Sequence, residues 1–102
     1  MIYKNICSVI NPDSQEAITL CDQIESKFSN VSWQKVNDFM FDKVQNIDLV
    51  IAIGGDGTLL RAVSLAVKYD VPVLGINMGT VGFMTDIEGD KALAELKEYL
   101  NG

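Results

Sequence analysis

The sequence predicts an α/β domain of three layers, α/β/α, built on a mainly parallel, Rossmann-like sheet. Three observations predict it. Short apolar segments alternate with helical ones along most of the chain, the pattern of a parallel sheet covered by helices. Leu49-Val50-Ile51-Ala52-Ile53 is apolar throughout, as in a strand buried on both faces. Glycine-rich segments follow directly on that run and on Val73-Leu74-Gly75-Ile76, at the strand ends where such sheets hold ligands.

Ile6-Cys7-Ser8-Val9-Ile10 reads as the first strand, stopped by Asn11-Pro12-Asp13. A helix follows. Its cap is either Asn11, with Pro12 at the first position, or Asp13, with Glu16 three residues on. Ala17, Cys21, Ile24 and Phe28 share one face of it, and Ser29-Asn30 ends it. Residues 31–36 form a second strand, with Val31 and Trp33 pointing the same way. Residues 37–47 read as a loop or short helix, because Met40, Val44 and Ile47 have helical spacing while Phe39 and Phe41 suit a strand. After the run at 49–53, Leu59, Ala62, Val63, Ala66 and Val67 make a helical face that Val71-Pro72 ends. Residues 73–76 form another buried strand, and residues 77–86 a glycine-rich loop. Asp90 caps a last helix with Leu93, Leu96 and Leu100 inward.

The chain has 102 residues, 48% of them hydrophobic. That is one compact domain with an ordinary core, and too apolar for a disordered chain. No apolar run is long enough to span a membrane. The N-terminus has no basic region, apolar stretch and cleavage site in succession. A soluble, cytoplasmic protein without membrane partners is expected. The absence of histidine excludes a Ser-His-Asp triad, a Cys-His dyad and an imidazole metal site. Cys7 and Cys21 are expected to be reduced core residues.

The net charge of −6 argues against a nucleic-acid partner. Its distribution is informative. Residues 1–53 hold four basic and seven acidic side chains, residues 54–85 two and two, and residues 86–102 two and five. The neutral stretch, which holds most of the glycines, is the least hostile place for an anion such as phosphate.

Gly54-Gly55-Asp56-Gly57-Thr58 turns a strand into a helix. Its glycines permit close backbone approach to a ligand. The helix behind them points its N–H groups and positive dipole end at the same space, a natural phosphate site. A carboxylate repels phosphate, so Asp56 needs its own role. It accepts a proton from an attacking hydroxyl, holds a magnesium ion, or caps the helix. Glycine-rich turns also serve packing alone. The segment lacks the last glycine of G-x-G-x-x-G, and the chain has no Gly-Lys-Ser/Thr of a P-loop. Arg61 opposes the helix dipole, so it either reaches an anion or is simply solvated. In the second loop, Asn77 offers a donor and an acceptor, to a ligand or to the turn backbone. Phe83 is either a ring for a base to stack on or plain core. Asp86 reads as a surface or capping carboxylate.

Together the two loops resemble a known family. Gly54-Gly55-Asp56-Gly57-Thr58 is similar to the GGDGT signature of NAD kinases, which diacylglycerol and sphingosine kinases share and phosphofructokinases share more loosely. Gly75-x-Asn77-x-Gly79-x-x-Gly82-Phe83-Met84-Thr85 resembles the G-x-N-x-G-x-x-G-F-L-T element of NAD kinases, where lipid kinases differ. Val9-Ile10-Asn11-Pro12 fits the end of their first strand.

The resemblance implies a phosphofructokinase-like sheet and transfer of a phosphoryl group from ATP or polyphosphate to the 2′-hydroxyl of the adenosine ribose of NAD. Magnesium would arrive with the nucleotide. Asp56 would be the general base, and Asp56 and Gly57 would line the NAD site. Arg61 would contact the dinucleotide, and Phe83 would lie near the adenine. Gly54, Gly55, Gly57 and Thr58 would shape the phosphate turn, with Asn77 among the nucleotide-binding positions. It also implies a second, β-rich domain beyond residue 102, whose Asn-Glu element helps bind the nicotinamide nucleotide, and assembly as dimers or tetramers. Residues 1–102 would then be the N-terminal α/β domain, inactive alone. Two other readings compete: a nucleotide-binding module without catalysis, and a lipid kinase domain, which the second loop disfavours.

Overall fold

The computed structural model describes residues 3–37, 44–78, 87–88 and 91–100. Among them are five strands and three helices. The strands are β1 (Asn5–Ile10), β2 (Ser32–Asn37), β3 (Leu49–Gly54), β4 (Val73–Asn77) and the two-residue β5 (Ile87–Glu88). The helices are α1 (Gln15–Lys27), α2 (Asp56–Tyr69) and α3 (Ala92–Leu100). The sheet has the order β2-β1-β3-β4-β5, and every pairing is parallel.

Strand alternation sorts the core into two faces. Ile6, Ile10, Leu49, Ile51, Ile53, Leu74 and Ile76 pack with α1 and α3. Cys7, Val9, Val50 and Ala52 pack with α2. All six residues of β3 are buried, as a central strand with helices on both sides requires. The expected three-layer α/β/α architecture is present. The two-residue β5 was not expected, being too short to carry a periodic signal.

Four local details correct the sequence reading. The cap of α1 is Ser14, whose side chain accepts from the Ala17 N–H, and not Asn11 or Asp13. The Asn11 Oδ1 instead accepts from the Asp13 N–H at 3.0 Å, an Asx turn that holds the chain out of helix. At the other end of α1, Phe28 is already the C-cap, one residue before Ser29-Asn30. The α2 helix closes at Asp70 in left-handed conformation, just ahead of Val71-Pro72. Val67 is 74% exposed. The buried stripe runs Leu59, Ala62, Leu65 and Ala66, which leaves Val67 on the outer side.

In α1 the expected face of Ala17, Cys21, Ile24 and Phe28 is buried. In α3 Ala92, Leu96 and Leu100 are buried, with Leu93 partly so. The readings of residues 38–43 and of the Asp90 cap lie outside the described residues. Val44 and Ile47 are buried against the α2 face. The Tyr69 hydroxyl donates to the Val44 carbonyl, and the Gln34 amide exchanges hydrogen bonds with the Gln45 backbone. The segment is thereby tied to both α2 and β2.

Cys7 and Cys21 are buried free thiols, as expected. Burial pushes the Cys7 thiol up to about 11. Burial first, and then the nearby Glu25 carboxylate, push Cys21 up to about 12. No described helix is long and apolar enough to cross a membrane.

Candidate functional site

The carboxyl ends of β1, β3 and β4 lie side by side. Ile10 registers with Ile53, and Gly54 with Asn77. Two backbone bonds tie the exits together: Asn11 N–H to the Ile53 carbonyl at 3.3 Å, and Met78 N–H to the Gly54 carbonyl at 2.9 Å. From β1 the chain crosses through α1 to β2 on one side; from β3 it crosses through α2 to β4 on the other. The switch point of the sheet therefore falls between β1 and β3, where open α/β sheets leave a crevice for ligands. The loop at residues 11–14 and the turn at Gly55 flank it.

The three glycines of the turn do different things. A Cβ on Gly54 would stand 2.7 Å from Thr58 Oγ1, 3.0 Å from Thr58 Cβ and 3.3 Å from Asn11 Cβ. Gly54 is thus demanded by packing inside the protein. At Gly55, the N-cap of α2, φ is −102° and ψ −167°, which any residue adopts. A Cβ there would meet nothing within 4 Å. Gly57 is exposed, and a Cβ would make only an ordinary 3.5 Å contact with Arg61 Nη1. Gly57 is the second residue of α2, where glycine brings the helix no advantage over a residue with a side chain. Two of the three glycines leave space that the fold does not use.

Asp56 is the first residue of α2 and half-buried. It is not the cap, since Gly55 holds that place and makes no side-chain capping bond. A carboxylate in the first turn complements the dipole, so its placement costs the helix nothing. Thr58 is 3% exposed and tucked against Gly54. Its hydroxyl supports the turn from within. Arg61 is exposed on the next turn, and its guanidinium lies back over Gly57, following the N-terminal tilt of helical side chains. Asn77 is 6% exposed at the end of β4. The structure thus brings Gly54, Gly55, Asp56, Gly57, Thr58 and Asn77 to one edge, with Arg61 one turn along α2. Phe83 and Asp86 lie outside the described residues.

Asn11 belongs to the same edge; the sequence offers it as a strand stop or helix cap and, through Val9-Ile10-Asn11-Pro12, as part of the family resemblance. The signal for it was weak: one Asn-Pro after an apolar strand. Among the described residues no three His, Cys, Asp or Glu side chains gather into a metal cluster. The turn offers one carboxylate, Asp56, the donor set of a magnesium ion bound chiefly through substrate phosphates.

An open, doubly wound α/β domain with a glycine turn and a helix N-terminus at its switch point is an architecture on which phosphate sites are commonly built. Comparison with known proteins narrows this. The profile of the ATP-NAD kinase N-terminal domain matches residues 7–102. An NAD kinase of Dehalococcoides mccartyi is 32% identical over 99% of this chain and 38% of its own length. That of Sodalis glossinidius is 44% identical over 68% of the chain and 24% of its own. That of Symbiobacterium thermophilum reaches 55% over 55% of the chain and 20% of its own. The chain belongs to the ATP-NAD kinase N-terminal domain family. It spans well under half the length of the curated relatives it matches.

Proposed function

We propose that this chain is the N-terminal domain of an NAD kinase. It carries the general base and the phosphate turn for phosphoryl transfer from ATP, or polyphosphate, to the 2′-hydroxyl of the adenosine ribose of NAD. The single observation that supports this most is the pairing of Gly55 and Gly57, neither required by packing, on either side of Asp56. A nucleotide lying against that backbone would bring its ribose to the carboxylate.

Asp56 takes the proton of the 2′-hydroxyl as that oxygen bonds to the terminal phosphorus of the donor. The bond to the departing phosphate chain breaks in line. Such transfers depend on positioning and charge neutralisation more than on covalent chemistry. Arg61 and the N-terminus of α2 supply positive potential to the phosphates. Gly54 and Thr58 shape the turn from inside, and Asn77 and Phe83 belong to the nucleotide side. Magnesium bound with the donor supplies further neutralisation. The remainder of the site belongs to a β-rich second domain, and the complete enzyme works in the cytoplasm as a dimer or tetramer. The 102 residues alone turn over negligibly.

The test is NADP formation by the longest chain that the gene encodes, with ATP or polyphosphate as donor, beside its Asp56→Asn variant. Loss of a general base lowers kcat by about 10²- to 10⁴-fold. An Asp56→Asn enzyme with near-normal turnover refutes the assignment. Nucleotide binding without turnover in the unaltered chain supports a non-catalytic module instead.

A further inference from the structure

We propose that Asn11 is a positioning residue that holds the Gly54–Asp56 turn in place from the neighbouring loop; the inference rests on the reading of Asp56 as the base. Asn11 is the first residue past β1, and three bonds fix it. Its N–H donates to the Ile53 carbonyl at 3.3 Å, its Oδ1 accepts from the Asp13 N–H at 3.0 Å, and its carbonyl accepts from the Ser14 N–H at 3.2 Å. So held, its Cβ stands 3.3 Å from the point a Cβ on Gly54 would occupy. Thr58 fills the same point from the first turn of α2, at 2.7 Å through Oγ1 and 3.0 Å through Cβ.

The absent side chain of Gly54 is therefore the place where the β1–α1 loop and the α2 N-terminus close on β3. Thr58 is two residues from Asp56 in the same turn, so what seats Thr58 seats the carboxylate. Asn11 is the part of this contact that comes from the other side of the switch point. Its amide matters because the Asx turn, rather than helical hydrogen bonding, sets the loop at this position. Asn11 acts through the turn and needs no contact with substrate.

The experiment uses the longest chain that the gene encodes, with steady-state NADP formation and circular dichroism on each variant. Asn11→Ala keeps the Cβ but loses the Oδ1 acceptor. It is expected to lower kcat about tenfold, since displacements near 1 Å cost up to about 100-fold, while KM for NAD stays within about twofold. Asn11→Ser, whose hydroxyl can replace the acceptor without adding charge, recovers most of the loss. The inference is overturned if kcat is unchanged in Asn11→Ala, if the loss follows the folded fraction, if it falls on KM alone, or if serine recovers nothing. Normal turnover in Asp56→Asn brings down the base and this inference together. An inactive Asp56→Asn beside a normal Asn11→Ala brings down only the positioning role.

Discussion

The Thr58 hydroxyl lies 2.7 Å from the point where a β-carbon on Gly54 would stand. The contact joins the end of a central strand to the first turn of the helix that follows. Because Thr58 is buried, it has no exposed space to turn into. Gly54→Ala is therefore expected to destabilise the domain by about 1–3 kcal/mol, the usual cost of overpacking. A lowered midpoint in urea denaturation, with unchanged slope, is the measurement.

Gly55 should behave oppositely. Nothing stands within 4 Å of a Cβ there, and its backbone is extended. Gly55→Ala is expected to change stability by no more than about 1 kcal/mol, because restriction of the unfolded chain is offset by alanine's poorer fit at an N-cap. In the longest chain that the gene encodes, the same methyl should weaken nucleotide binding about tenfold, or 1.4 kcal/mol. Calorimetric titration and thermal melting of one variant separate the two effects. Unchanged affinity means that no ligand approaches the backbone at 55.

The cysteines should be inert in the folded state. Cys7 and Cys21 are buried, and burial raises their thiols from 9.0 to about 11 and about 12. Thiolate, the reactive form, is then scarce at neutral pH. Ellman's reagent should label neither thiol rapidly in the native protein and both on denaturation. The folded state keeps these protons to higher pH than the unfolded chain does. Their contribution to stability is complete below pH 9 and declines as pH rises towards 11 to 12.

Lys35 on β2 bridges to two carboxylates of α1, Asp22 at 2.7 Å and Glu25 at 3.1 Å. Hydrogen bonds to Asp22, then to Glu25, raise its ammonium above the usual 10.5. Its contribution is therefore complete below about pH 10.5 and is lost as pH rises beyond that. With a side chain 37% exposed, solvent screens it. Lys35→Met should cost no more than about 1 kcal/mol, and less at high salt. Denaturation midpoints at low and high ionic strength measure it.

Much of the fold was legible because burial writes period into sequence. Leu49–Gly54 and the Ala17, Cys21, Ile24, Phe28 stripe were readable at once. Their neighbours are apolar in any arrangement that covers them. Val67 misled, since a valine at helical spacing looks inward until Leu65 shows where the buried stripe lies. Asn11, Asp13 and Ser14 are all good capping residues within four positions, so the sequence does not single out Ser14. The choice fell to the loop that leaves β1. The two-residue β5 carries no period at all.

The glycine turn and its carboxylate are visible as a motif, and only with the second loop do they resemble the NAD kinases rather than the lipid kinases. Local spacing and composition suffice for the α/β class, the two buried thiols and the grouping of Gly54, Gly55, Asp56, Gly57 and Thr58. The strand order, and with it the switch point between β1 and β3, comes from the folded chain. The fold alone separated a glycine that packing requires, at 54, from those that packing leaves free, at 55 and 57. It also brought Asn11 against that turn. These facts depend on which atoms meet across the 42 residues that separate Asn11 from Gly54, and no local periodicity records a contact of that kind.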